Sequence, residues 1–266
     1  MKIYQNISGV PDFKGEHLKT ENLEYCVLIP VINEGSRIHH ELERARAANI
    51  SAVADIIICD GGSTDGSLEF EFLESVDVHS LLIKTGAGKQ GAQLRMGIWW
   101  ALENGYKGII TIDGNDKDSI EDVPCFIQKL EEGYDFVQGS RFISGGQAIN
   151  TPLIRYLSVR LLHAPIISLT AHHWFTDTTN AYRGYSRRYL EDKRVQPLRD
   201  IFVTYELLAY LSVRATQLEM KVCEIPVKRA YPAKEKTPTK ISPLKGNSLL
   251  LKILFSNLLG KYVPED

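Results

Sequence analysis

Three carboxylates and one amide crowd into the stretch Asp113-Gly114-Asn115-Asp116-Lys117-Asp118, directly after the apolar run 108–112. Carboxylate and amide oxygens are the donors that suit Mg²⁺ or Mn²⁺, and such ions commonly bridge to phosphates. Asp113, Asn115 and Asp116 are therefore candidate metal ligands. The plainer reading is an acidic turn that caps a helix at Ser119. A second polar turn, Asp60-Gly61-Gly62-Ser63-Thr64-Asp65-Gly66, follows the run 54–59. Its glycines let backbone approach a ligand closely, and its carboxylate can accept hydrogen bonds from a base or ribose. The plainer reading is a turn in which Ser63 or Thr64 caps the next helix. Gly86-x-Gly88-x-x-Gly91 matches the dinucleotide fingerprint, with Asp113 near the distance expected for the ribose acid. That pattern admits a nicotinamide- or flavin-dependent oxidoreductase. It would, however, occupy the third strand end and leave the first two unexplained.

Other groups carry weaker signals. His39-His40 lie in a polar helical pattern and are expected to be solvated. His172-His173-Trp174 precede Asp177-Thr178-Thr179-Asn180 and Arg183, a mixture unusual for a connector and open to a substrate role. Trp99-Trp100 fall within a helical pattern and are expected in the core.

These residues need a frame. Short apolar runs at 25–31, 54–59, 78–83, 108–112 and 134–138 alternate with helical patterns at 36–48, 67–74, 91–103 and 119–130. The alternation predicts an α/β fold with a mostly parallel sheet. Ser119 followed by Asp122 has the spacing of a capping box. In such a sheet ligands bind outside the carboxyl ends of the strands, where the polar turns gather. A sheet needs turns at that edge, but not this density of carboxylates.

The chain carries 31 Lys and Arg against 33 Asp and Glu, so its overall charge does not make it a nucleic-acid binder. Basic residues are nevertheless concentrated between Lys228 and Lys261, where Glu235 is the one acid. Cys26, Cys59, Cys125 and Cys223 show no metal-ligand spacing and read as reduced thiols of a cytosolic protein. The first twenty residues lack an apolar signal-peptide core, and no apolar stretch approaches bilayer-spanning length. The stretch 231–243 reads as an exposed linker.

Taken together, the motifs VLIPVINEG, ICDGGSTDGS, KTGAGKQGAQLRMG, IITIDGNDKDSIEDV, FVQGSRF and DTTNAYRGYSR resemble those of family-2 glycosyltransferases with the glycosyltransferase-A fold. Within that family the likeness is to the polyprenyl-phosphate and dolichyl-phosphate sugar transferases, and it covers residues 26–227. The resemblance implies a Rossmann-like, mostly parallel sheet flanked by helices, with a catalytic domain over 1–230 and a basic, amphipathic segment over 231–266. It implies a nucleotide pocket lined by Pro30, Asn33, Glu34, Asp60, Gly62 and Ser63, approached by Gly88 and Lys89. Asp113 and Asn115 match the family's Asp-x-Asp metal motif. Two departures stand out: Asn115 is an amide where the family carries a carboxylate, and Asp60-Gly61-Gly62-Ser63 keeps one acid of the Asp-Asp-Gly-Ser turn. Lys117 also stands where relatives of dolichyl-phosphate-mannose synthase often carry a neutral polar residue.

The implied reaction is inverting transfer of a sugar from a nucleotide diphosphate donor, with Mg²⁺ or Mn²⁺ neutralising the departing diphosphate. A polyprenyl phosphate acceptor needs cationic positioning, for which Arg141 and Arg183 are the candidates; a saccharide hydroxyl needs a general base, for which Asp177 is the candidate. The C-terminal SLLLKILFSNLLGKY resembles a basic amphipathic anchor for an anionic membrane surface, with packing on the catalytic domain or a homo-oligomer partner as the alternative. A cytoplasmic location, peripheral on the inner face of the membrane, is the corresponding expectation.

Overall fold

The computed structural model describes residues 1–233 and 245–265, with side chains from 248 onward in the second segment. The expected linker lies mainly outside the described residues. Among the described residues there are eleven strands: β1 Lys2–Tyr4, β2 Phe13–His17, β3 Tyr25–Val31, β4 Asp55–Asp60, β5 Ser80–Lys84, β6 Gly108–Thr111, β7 Phe136–Ser140, β8 Gln147–Ile149, β9 Arg183–Ser186, β10 Val222–Pro226 and β11 Lys228–Ala230. The α-helices are α1 Ser36–Ala47, α2 Phe70–Ser75, α3 Gln90–Glu103, α4 Val123–Glu131, α5 Leu153–Ser158, α6 Ala164–Ala171, α7 Arg187–Glu191, α8 Glu206–Gln217 and α9 Lys245–Leu258.

Nine strands form one sheet in the order β1-β2-β5-β4-β3-β6-β9-β7-β10. β5, β4, β3 and β6 are mutually parallel, as are β7 and β10. β9 runs antiparallel between β6 and β7, and the β1–β2 pair extends the β5 edge antiparallel. The central strands are buried on both faces, which is why they read as continuous apolar runs. Along β3, Cys26 and Leu28 pack with α3 and α8, while Val27, Ile29 and Val31 pack with α1 and α4. The period-two alternation thus feeds two cores, one on each side of the sheet. Trp100 is buried and Trp99 packs partly against the same core, as expected.

Two local expectations need correction, and one open alternative is decided. Ser119 and Asp122 do not form a capping box: the Ser119 side chain makes no cap hydrogen bond, the Asp122 amide donates to the Ser119 carbonyl at 3.0 Å, and α4 begins at Val123, with Pro124 in its first turn, after a single 3₁₀ turn. His39 is half-buried rather than solvated, with its ring 4.0 Å from that of Phe72 and Nε2 2.9 Å from the Ser67 carbonyl. For the C-terminal segment the structure shows the packing that is the alternative to an anchor. Ile253 and Leu254 of α9 are buried, α9 packs on α6 and α8, and Asn257 Nδ2 donates to the Ala209 carbonyl at 3.0 Å. Among the described residues no helix is long and apolar enough to cross a membrane.

Candidate functional site

The carboxyl ends of β3 and β4 are laced into one polar rim. Asp60 closes β4, and its carboxylate accepts from the Ser63 amide at 2.9 Å and the Ser63 hydroxyl at 2.7 Å. The Asn33 amide donates to Ser63 Oγ at 3.0 Å, while Asn33 Oδ1 accepts from the Thr64 amide at 2.8 Å. Glu34 pairs with Arg37 at 2.7 Å. Beneath the rim, Gln93 of α3 donates to the Val31 and Cys59 carbonyls, each at 2.7 Å, and so ties the two strand ends together. Pro30, Asn33, Glu34, Asp60, Gly62 and Ser63 therefore lie along two adjacent strand ends.

The third strand end brings in Gly88, Lys89 and Gln90. Gly88 has φ +102°, and an added Cβ would stand 2.5 Å from the Ala92 side chain. Gln90 opens α3 and donates from Nε2 to Asp113 Oδ1 at 3.0 Å, which joins this end to the acidic loop. The dinucleotide reading of the same glycines fails on geometry. A Cβ on Gly91 would lie 2.6 Å from the Phe202 carbonyl oxygen, and the Lys89 amide already donates to Val203. Chain 202–204 covers the start of α3, where a pyrophosphate would have to sit.

The acidic loop after β6 is held from two sides. From α1, Arg44 binds Asp116 Oδ1 at 2.7 Å, and the carboxylate of Glu41 accepts the Asp116 amide at 2.9 Å. From the other side comes β11. The Ser119 amide donates to the Lys228 carbonyl, and the Ala230 amide to the Lys117 carbonyl. This pairing drives the Arg229 side chain between Asp113 and Asp118: it donates to Asp113 Oδ2 at 3.1 Å and binds Asp118 Oδ2 through Nη1. Burial pushes the Asp118 carboxyl up. Burial acts in the same direction on Asp113, but Arg229, Lys117 and the hydrogen bonds from Arg229 and Gln90 hold it below the usual carboxylate range. Asp113 is thus an ionised, half-buried carboxylate at the head of the parallel strands.

Next to it lies a concentration of cations. The Tyr231 ring has the Lys117 ammonium 5.4 Å, the Arg155 guanidinium 5.7 Å and the Arg229 guanidinium 5.9 Å from its centroid. Burial would raise the Tyr231 phenol, but Arg229, Arg155, Arg141 and Lys117 together draw it down. Burial, reinforced by Arg229, lowers Lys117 to about 8. Arg141, at the end of β7, forms a bidentate pair with Asp177, with Nε–Oδ2 2.6 Å and Nη2–Oδ1 2.8 Å.

Residues 26–193 match the family model described as glycosyl transferase family 2. The chain belongs to that family. It is 28% identical to an undecaprenyl-phosphate mannosyltransferase of Micrococcus luteus, over 77% of this chain and 83% of the other. It is 23% identical to a polyprenol monophosphomannose synthase of Mycolicibacterium smegmatis, over 88% and 87%. An uncharacterized protein of Methanocaldococcus jannaschii is 28% identical over 90% of this chain and 92% of its own length. Among solved structures, glucosyl-3-phosphoglycerate synthase of Mycobacterium tuberculosis, in complex with Mn²⁺, uridine diphosphate and phosphoglyceric acid, superposes with a TM-score of 0.63 at 14% identity. That match covers 92% of this chain and 80% of the other, and it supports the glycosyltransferase-A fold.

Within this family-2 glycosyl transferase, several expected residues have other duties. Arg183 is 1% exposed, and its guanidinium donates to the Asn180 carbonyl at 2.9 Å, the Thr178 carbonyl at 2.9 Å, Ser212 Oγ at 3.0 Å and the Leu208 carbonyl. It fastens β9 to α8 and does not face the cation cluster. Asp177 is fully buried, and both its carboxylate oxygens accept from Arg141, so it serves as that arginine's ion-pair partner and presents no accessible oxygen to a substrate hydroxyl. Asp116, held by Arg44, is an ion-pair partner rather than a reserve metal ligand.

Among the described residues, no group of three or more His, Cys, Asp or Glu is gathered as a metal site. The remaining donors still fit a hard divalent ion that is shared with a diphosphate. Asp113 offers an ionised carboxylate, and Asn115 Oδ1 is buried without a hydrogen-bond partner. Sequence reasoning missed Gln90, Arg155, Arg229 and Tyr231. The two arginines have no local pattern that separates them from surface cations, and Arg229 stood out only as part of the basic C-terminal tally.

Proposed function

We propose that this chain transfers a sugar, with inversion, from a nucleoside diphosphate sugar to a polyprenyl phosphate. The carrying observation is the convergence of Arg141, Arg155, Arg229 and Lys117 on Tyr231, beside Asp113. Arg141 is paired with Asp177, and Arg229 is shared by Asp113 and Asp118, whereas Arg155 donates to the Tyr231 hydroxyl at the edge of the cluster. Buried cations call for anions, and a phosphate monoester supplies two negative charges and several acceptors. A phosphate oxygen is already a nucleophile, so the lack of freedom at Asp177 costs such a reaction nothing. The names of the bacterial relatives support this choice of acceptor.

In this reading the rim of Pro30, Asn33, Glu34, Asp60, Gly62 and Ser63 holds the nucleoside, with Gly88 and Lys89 on its flank. Asp113 and Asn115 hold Mg²⁺ or Mn²⁺. That ion, when bound, neutralises charge on the departing diphosphate. Gln90 and Arg229 fix the Asp113 carboxylate from either side, so its direction does not depend on the ion. Arg155 and Arg229 orient the acceptor phosphate, while Asp177 locks Arg141 in place. The test is to incubate labelled nucleotide sugars with polyprenyl phosphate or soluble saccharides in matched detergent. The proposal expects label in the lipid phosphate, and expects Arg155→Ala to raise the KM for that acceptor at least ~10-fold while donor binding is kept. Label entering only saccharide hydroxyls would overturn it.

A further inference from the structure

The helical stretch 153–171 is oddly dressed for a surface. It runs from α5 through a single π turn, Val159–His163, into α6. Its underside, with Val159, Ala164, Ile167 and Ala171, is buried. Its outer side shows Leu153 at 70% exposure, Ile154 at 81%, Leu157 at 43%, Leu161 at 72% and Leu169 at 66%, and Trp174 follows at 65%. Leu153, Leu157 and Leu161 recur every four residues and share one face, with Ile154 beside them. Side chains of this size, exposed in a row, mark an interaction surface rather than chance exposure. α9 packs alongside α6 and contributes exposed Phe255, with exposed Leu259 just past its end.

Charge selects the partner. Between Asp135 and Asp177 the sequence contains no acidic residue, and its formal charges are those of Arg141, Arg155 and Arg160. Arg155 reaches Tyr231, and the Arg160 guanidinium lies 5.3 Å from the Phe142 ring centroid, so both cations flank the apolar row on the side of the cation cluster. An apolar stripe whose own stretch of sequence carries arginines and no acid, with a tryptophan at its end, is complementary to the boundary between headgroups and acyl chains of an anionic bilayer.

We propose that the outer face of 153–171, rather than the C-terminal helix alone, is the surface by which this protein docks on an anionic lipid bilayer. Its purpose rests on the lipid-phosphate reading: docking on this face would put Arg155 at the membrane boundary, where the phosphate of a lipid acceptor resides. Docking itself is measurable without either substrate.

The experiment uses the full chain and sedimentation with vesicles of phosphatidylcholine plus phosphatidylglycerol, against phosphatidylcholine alone. The wild type is expected to bind the anionic vesicles, and the combined Leu153→Ser, Leu157→Ser and Leu161→Ser variant to bind them at least ~10-fold more weakly with its Tm unchanged. A second readout uses brominated lipid, which is expected to quench a component of tryptophan fluorescence that Trp174→Phe removes. Equal vesicle binding by the triple variant, or absence of quenching at Trp174, would overturn the proposal. So would a wild-type dimer in light scattering that the triple variant converts to monomer without any vesicle binding, since a second copy would then be the occupant. Transfer to a short-chain, water-soluble polyprenyl phosphate without vesicles separates the two ideas. If it proceeds while vesicle binding fails, the docking face is wrong and the acceptor assignment stands; if vesicles bind but no lipid phosphate is glycosylated, the reverse holds.

Discussion

Asp113 illustrates how a single carboxylate is prepared for work. It follows a buried strand, is gripped by Gln90 and Arg229, and is held ionised against the pull of burial. Replacing it with alanine is expected to lower kcat by ~100-fold or more in steady-state assays, while circular dichroism shows the fold intact. Asn115→Asp should keep or tighten activation by Mn²⁺, read as the metal concentration for half-maximal rate, because it supplies the second carboxylate. Asp177 behaves differently. Asp177→Asn strips the buried Arg141 of its ionic partner and is expected to cost ~3–5 kcal/mol in urea unfolding. A variant of unchanged stability that loses only hydroxyl-directed transfer would instead make Asp177 a base. The difference between these aspartates was not legible in the sequence. Both sit in polar, motif-bearing stretches, and only the pairing of β7 with the loop before β9 shows that one of them is consumed.

At the scale of elements, the legible part was the run of parallel strands. β3, β4 and β6 are buried on both faces, so their apolar runs and the polar turns after them announced themselves. β9 and β11 did not. Arg-Gly-Tyr-Ser and Lys-Arg-Ala have neither alternation nor an apolar run, and their strand character comes from neighbours alone. Since β11 delivers Arg229, the same silence hid half of the site. The acidic loop depends on α1 as well. Glu41 is fully buried, and its carboxyl is raised well above 4.5, chiefly by burial and further by the aspartates around it. A folded-state pKa above the unfolded one means that its contribution to stability is complete below pH ~4.5 and is lost as pH climbs toward the folded value. Glu41→Gln is therefore expected to flatten the decline in unfolding free energy between acid and neutral pH. An identical pH profile in the variant would show that Glu41 is ionised in the native protein.

For the whole molecule, the sheet gathers four loops at one edge, and the helices of the α8 side support both that edge and the C-terminus. The basic tail invited a reading as a membrane anchor because its apolar residues are too few to span and too many for a solvated helix. Instead α9 spends Ile253 and Leu254 on the core against α6 and α8. Deleting 245–266 is thus expected to reduce unfolding free energy by ~3 kcal/mol or more, seen as a lower Tm before any lipid is added. The central claim, that the cations around Tyr231 receive a lipid phosphate while the rim from Asn33 to Ser63 holds the donor, is tested most directly by product analysis. Labelled nucleotide sugar, Mn²⁺ and the full chain are incubated with polyprenyl phosphate and soluble saccharides together, then partitioned between organic and aqueous phases. The account predicts label in an acid-labile lipid phosphate sugar in the organic phase, and its loss in Asp113→Ala. Label confined to aqueous saccharide would contradict it.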